Sequence, residues 1–241
     1  MKKRYILALT VSTLLLSGVA ASAASFTYSR DDAPGWEVQN IATWNTTGNT
    51  MDNMFIKVVF ANNGGEETGY WSDNTGVTGV GWSLTMANYN ENTFDDPKWT
   101  LYNDGDRQIS QLIFSGMSGN TVFDRILDYS NEQTPGSANG QPIYQPNWWN
   151  SPDVGLAVNA HYSNLVTVNG ASGVYNDLYE TLTLTFSSEN AGTNLVTYFG
   201  QGSFDFALDT DNVNAPVPEP TTMLLFGVGL AGLAGLKRRK K

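Results

Sequence analysis

The 241-residue chain contains no cysteine. Disulfides, thiolate nucleophiles and zinc–thiolate centres are therefore excluded. It has one histidine, His161, so any Ser-His-Asp triad would have to use it, and no G-x-S-x-G elbow accompanies it. Basic residues are scarce away from the ends. Of 13 Lys and Arg, eight are Lys2, Lys3, Arg4, Lys237, Arg238, Arg239, Lys240 and Lys241. Only Glu219 among the 23 acids lies in the tail, leaving 22 acids against five bases in the middle, a net of −17. Such a surface repels nucleic acid and anionic lipid and suits solubility and cation binding. Helical periodicity is also nearly absent from residue 24 to about 210.

What is present starts with the N-terminus, "MKKRYILALTVSTLLLSGVAASAAS". Lys2, Lys3 and Arg4 form a basic n-region, Tyr5 to Leu16 an apolar h-region, and Ala21-Ser22-Ala23 a small-residue cleavage site. This is a secretory signal peptide over 1–23, cut after Ala23. The compact h-region and the Ala-x-Ala disfavour an uncleaved anchor helix.

At the other end, Met223 to Leu236 is an unbroken apolar run that includes Leu224, Leu225, Phe226, Leu230 and Leu233. Fourteen helical residues span about 21 Å, against roughly 30 Å of hydrocarbon. Thr221 and Thr222 can extend the helix, and Lys237, Arg238, Arg239, Lys240 and Lys241 form a basic tip that stays cytoplasmic. The expectation is a C-terminal transmembrane helix. Gly227, Gly229 and Gly232 spell G-x-G-x-x-G, but the dinucleotide motif needs a preceding strand and a following βα unit. Here these glycines fit close helix packing in a membrane.

The order Val217-Pro218-Glu219-Pro220, apolar helix, basic tip resembles the PEP-CTERM sorting signal of exported Gram-negative proteins. The resemblance covers roughly the last 25 residues. It implies recognition by exosortase, a membrane-embedded transpeptidase-like enzyme that removes the tail. The two prolines hold the segment extended and exclude a helix before Thr221. "GNTVFD" and "FDFALDTDN" resemble segments of PEP-CTERM passenger domains and imply no defined activity.

The middle reads as one all-β domain over 24–209, followed by a linker at 210–216 and the sorting signal at 217–241. In "TLTLTF", Leu182, Leu184 and Phe186 alternate with Thr181, Thr183 and Thr185. "FDFALD" alternates likewise, and "MFIKVVFAN", "VGWSLTM", "QISQLIFS", "TVFDRIL", "VGLAVNAHY" and "LVTYF" are further strand candidates. Turn clusters "NNGG", "NDGD", "NG" and "NAG" separate them. Many short strands with Asn/Gly turns predict a single antiparallel β-sandwich or jelly roll.

Two clusters carry candidate chemistry. Asp209, Asp211 and Asn212 with Asp205 offer hard oxygen ligands suited to calcium, though the EF-hand spacing is absent and a hydrated turn favours the same residues. "NDGD" is foremost a hairpin-turn signal. The long segment Ser130 to Asp153 carries Tyr144, Trp148 and Trp149, whose rings suit stacking on sugars or plugging one end of the sandwich. A glycosidase would need two carboxylates about 5–10 Å apart, which sequence does not show. Asn45-Thr46-Thr47 is a formal glycosylation sequon. The expectation is a non-enzymatic surface or exopolysaccharide-matrix protein, carried by the secretion machinery, processed by an exosortase-like enzyme, and needing no cofactor unless calcium. The rivals are a carbohydrate-binding module, calcium-assisted or not, and a glycan-cleaving enzyme.

Overall fold

A computed structural model describes residues 24–31, 33–125, 133–137, 140–146, 149, 156–173, 175–189 and 196–213. The signal peptide with Ala21 and Ala23, Trp148, and the sorting signal from Val217 to Lys241 lie outside the described residues. Among the described residues fifteen strands run in chain order: β1 Ser25–Arg30, β2 Pro34–Val38, β3 Ile41–Thr43, β4 Phe55–Phe60, β5 Glu66–Tyr70, β6 Val77–Gly79, β7 Trp82–Met86 and β8 Trp99–Asn103. They continue with β9 Ile109–Ser115, β10 Thr121–Asp124, β11 Leu156–Val168, β12 Leu178–Glu189, β13 Val196–Thr197, β14 Gly202–Phe206 and β15 Thr210–Val213. Single 3-10 turns occur at Thr93–Asp95 and Met117–Gly119. The described chain is all-β, as its alternation predicts.

The spine of the larger sheet is the long β11–β12 hairpin, in register from Leu156↔Ser188 to Leu165↔Tyr179. The far edge of β12 pairs with β9 through Thr181–Thr185 and with β10 at Tyr179 and Leu178. β9 continues to β4 and β5. β14-β8-β7-β6 form a second, four-stranded sheet. The strands "FIKVVF", "WSLTM", "ISQLIFS" and "TVFD" fall inside the runs marked by alternation. Asn62 and Asn63 in "NNGG" take left-handed φ of 54° and 60°, the conformation that a tight turn after β4 needs and Asn tolerates.

Two expectations are corrected. The sheets are not wholly antiparallel, because β1 and β2 both run parallel to β11 along its outer edge. Their partner lies more than a hundred residues away, so no hairpin dictates an antiparallel approach. The linker also begins later than 210, since Thr210–Val213 form β15, bonded to β10 on one side and β3 on the other.

Side chains from both sheets meet in one main core. Ile56, Val58, Leu112, Phe114, Leu182, Leu184, Phe186, Val158 and Ala160 come from the larger sheet. Trp82, Leu84, Met86, Trp99, Leu101, Phe204 and Phe206 come from the smaller. Rings cross between them: Phe186 meets Phe204 edge-on at 5.6 Å, and Trp99 meets Phe114 at 6.2 Å. A second, smaller cluster joins Val38, Val122, Val166, Leu178 and Val213, one from each of β2, β10, β11, β12 and β15. These strands belong to the run β2-β11-β12-β10-β15-β3, whose two ends are consecutive in sequence and linked by only residues 39–40. The chain thereby bends this part of the sheet around the five aliphatic residues.

Candidate functional site

Four buried acids gather beside this small cluster. β10 and β15 pair antiparallel with Val122 opposite Asp211, and β10 meets β12 with Asp124 opposite Leu178. Opposed residues share a face, and alternate residues share it along each strand. Asp124, Asp209 and Asp211 therefore stand on the same face as Val122, Leu178 and Val213. Asp177 immediately precedes β12. All four acids are buried, each at most 5% exposed.

Residues 133–137 and 140–146, inside the loop flagged for its aromatics, lie against these acids. Thr134 donates to Asp177 from both its backbone N and its Oγ1, each at 2.6 Å. Ser137 Oγ lies 2.9 Å from Asp124 Oδ2 and 2.8 Å from Asp211 Oδ2. Gln141 N donates to Asp209 Oδ2 at 3.2 Å. Beyond the acids the strap continues with Ile143 N donating to Tyr162 Oη, Tyr144 bridging Ala207 through both backbone bonds, and Gln145 Nε2 donating to Asp205 O. Gly140 is packed so tightly that an added Cβ would fall 2.0 Å from Asp124 Cγ.

Burial shapes the acidity of this group. Asp209 is pushed up to about 8, first by burial and then by the charge of Asp211. Asp211 rises to about 7 by burial, opposed by the Ser137 hydroxyl. Asp124 is raised well above the usual carboxylate range by burial and then by Asp211, Asp209 and Asp177. Burial raises Asp177 as well. Among the described residues no ion pair reaches any of the four. Lys57, Lys98 and Arg107 pair instead with Glu66, Asp205 and Glu67, and Arg125 lies over the Tyr162 ring at 5.5 Å. As arranged, no three or more acids among the described residues form a group that could hold a metal ion.

Of the four residues expected to bind calcium, the structure brings together two. Asp205 lies on β14 in the smaller sheet, where Lys98 Nζ approaches at 3.3 Å and Thr100 Oγ1 donates at 2.7 Å. Asn212 turns to the opposite face from Asp211, and its Nδ2 donates to the carbonyls of Thr50 and Asn120. The alternation that sets Asp209 and Asp211 on one face necessarily sends Asn212 to the other. Asp124 and Asp177 were missed because they lie far from 209–211 in sequence. The only available signal was the shared alternation of "TVFD" and "LDTDNV".

Tyr144 is half-buried, and its hydroxyl is raised by burial and by its bond with Asp96, so its ring and hydroxyl are partly committed to the fold. Trp149 is half-buried and its N donates to Pro146 O. Among the described residues the exposed indoles are instead Trp36 and Trp44. His161 pairs across β1 with Ser29, Oγ to Nδ1 at 2.9 Å, on the Thr-lined outer face of β11–β12. No helix among the described residues is long and apolar enough to cross a membrane.

Residues 216–240 match the family described as the PEP-CTERM protein-sorting motif. The chain carries this motif, which marks an exported protein anchored in the membrane until an exosortase-type enzyme processes it. No curated protein and no solved structure matches the chain.

Proposed function

We propose that the protein is a non-enzymatic surface or extracellular-matrix component. The secretory route exports it, signal peptidase cuts after Ala23, the helix from Met223 to Leu236 holds it transiently, and exosortase processing releases the β-domain to the surface or the exopolysaccharide. The PEP-CTERM match at residues 216–240 carries this reading. The fold supports it: the two sheets sharing one aromatic core have the character of a β-sandwich, and the acidic, cysteine-free surface suits an exported domain. Replacing Pro218 and Pro220 together by Ala tests the sorting step. The variant is expected to accumulate in the membrane fraction while the wild type reaches the surface or medium; equal release of both contradicts the reading.

Carbohydrate binding is a second reading, favoured by Trp36 and Trp44, each 42% exposed. Exposed indole faces have the apolar surface and polar N–H that a sugar ring matches. Co-sedimentation with the producer's own polysaccharide, lost in a Trp36→Ala, Trp44→Ala double variant, is the expected result. Absence of wild-type co-sedimentation removes this reading.

A further inference from the structure

The outward face of the larger sheet differs from the rest of the surface. The alternation that sends Leu182, Leu184 and Phe186 into the core sends Thr181, Thr183, Thr185 and Ser187 outward. Strand register carries this face across four strands. Ser29, His161, Thr183 and Ile113 form one row, from β1 through β11 and β12 to β9. Thr27, Asn159, Thr185 and Gln111 form the next. Rows lie about 6.7 Å apart along each strand and strands about 4.8 Å apart, so the groups stand on a grid. The alternate residues of 25–29, 157–163, 181–187 and 111–115 give it fourteen positions. Nine are Ser or Thr, none is Asp, Glu, Lys or Arg, and none is buried. Charge enters only at the margins. Lys57 of β4 and Glu66 of β5 pair at 2.8 Å, so their charges cancel. Glu180 is buried and accepts from Ser115 Oγ, Asn164 Nδ2 and Thr181 Oγ1. Arg30, ending β1, donates to Asn176 O.

Outward sheet faces ordinarily carry charges that keep copies apart. This one carries none, in a chain whose middle has a net charge of −17. Its composition selects the partner. Protein interfaces centre on aromatic, Arg and apolar anchors, and the only apolar residues on this grid are Ile113 and Ala157. Nucleic acid and anionic lipid need Lys and Arg. An acidic polymer is repelled by the surrounding negative charge. An uncharged partner dense in hydroxyls is complementary, because each Ser or Thr both donates and accepts. Thr183, in the middle of the face, makes no side-chain hydrogen bond among the described residues, so its hydroxyl is available. Cross-strand bonds from Asn159 Nδ2 to Thr27 Oγ1 and from Gln111 Nε2 to Thr185 Oγ1 hold the neighbouring groups in place before binding.

We propose that this face binds an extended, neutral polysaccharide lying across β1, β11, β12 and β9. The proposal rests on the carbohydrate reading above for the class of partner but gives it a different surface, since Trp36 lies on β2 and Trp44 follows β3. Hydrogen bonds from the grid, with Thr183 and Thr185 at its centre, hold the polymer without ring stacking.

The test is co-sedimentation of the protein recovered from the producer with microcrystalline cellulose, an extended neutral polymer, and with alginate gel, an acidic one. The wild type is expected to bind cellulose and not alginate. Because the partner is neutral, raising salt from about 0.05 to about 0.5 M should change binding less than twofold. A Thr183→Val, Thr185→Val double variant keeps shape and strand propensity but loses two hydroxyls, and should bind about tenfold more weakly. The Trp36→Ala, Trp44→Ala double variant should bind cellulose as the wild type does. If the threonine variant does not fold, the polymer selectivity, the salt response and the tryptophan variant decide. Wild type that ignores cellulose, or prefers alginate, overturns the proposal, while the tryptophan reading still stands or falls on the producer's own polysaccharide. Binding lost in the tryptophan variant and kept in the threonine variant overturns the face but leaves carbohydrate binding intact. A dimer in sedimentation velocity that the threonine variant splits gives the face to a second copy and also overturns the proposal.

Discussion

The two faces of β10 live in different chemistry. Phe123 enters the main core, where Phe114 lies 5.8 Å from it and Trp99 and Phe206 complete an aromatic layer. Val122 and Asp124, one residue to either side, enter the small cluster, where five aliphatic side chains end against four carboxyls. The first environment excludes water with apolar area and has little polar demand to satisfy. The second is equally buried but depends on hydrogen bonds from a strap that is itself rich in Gln, Pro and Gly. The difference separates what stabilises the domain from what makes part of it conditional.

The largest effect is expected from a cavity in the main core. Phe206→Ala removes a ring that stacks on Phe204 at 5.4 Å and touches Trp99 and Phe114. It should cost about 3–5 kcal/mol in denaturant unfolding, independent of pH.

The acid end should show the opposite signature, a strong dependence on pH. Asp209 and Asp211 have folded values of about 8 and about 7, above their unfolded value near 3.8, so the folded state binds more protons between these limits. Stability from these groups is fully present below about pH 4 and is lost as pH rises through 7–8. In EDTA, Tm should fall by roughly 5–10 °C between pH 5 and pH 8.5. A flat profile would mean that the carboxyls are not buried as described.

A smaller effect separates the strap from the sheet beneath it. Gly140→Ala places a Cβ against the Asp124 carboxylate and should cost about 1–2 kcal/mol. Limited proteolysis should then cut within 126–155 well before the strands, whereas uniform digestion would show that the strap is not a separate unit. The smallest effect belongs to the surface. Lys57 bonds Glu66 at 2.8 Å, but both are partly exposed, and Lys57→Ala should change stability by under about 0.5 kcal/mol.

Much of the main core was legible from alternation. Leu182, Leu184 and Phe186 point inward as "TLTLTF" implies, and Ile56, Val58, Leu112 and Phe114 follow the same rule. The edge strands were not legible. "EETGY" of β5 and "PGWEV" of β2 are largely exposed and carry no apolar alternation. β15 was read as linker because "TDNV" is polar, yet all four residues are buried. Their burial follows from pairing with β10 and β3, which sequence does not reveal. The same ignorance of register hid Asp124 from Asp211. The strap was recognised as a long loop with special composition, but its Ser and Thr, rather than its aromatic residues, make the contacts with the acids.

Export of the chain and loss of its tail to an exosortase-type enzyme leave a mass signature at both ends. The direct measurement is the intact mass of the native protein from cells and medium, in the producer and in a strain lacking that enzyme. A species beginning at Ala24 and ending near Pro218–Pro220 is expected in the producer, with the tail retained when the enzyme is absent. A mass that keeps Leu236 and the basic tip in both strains would contradict it.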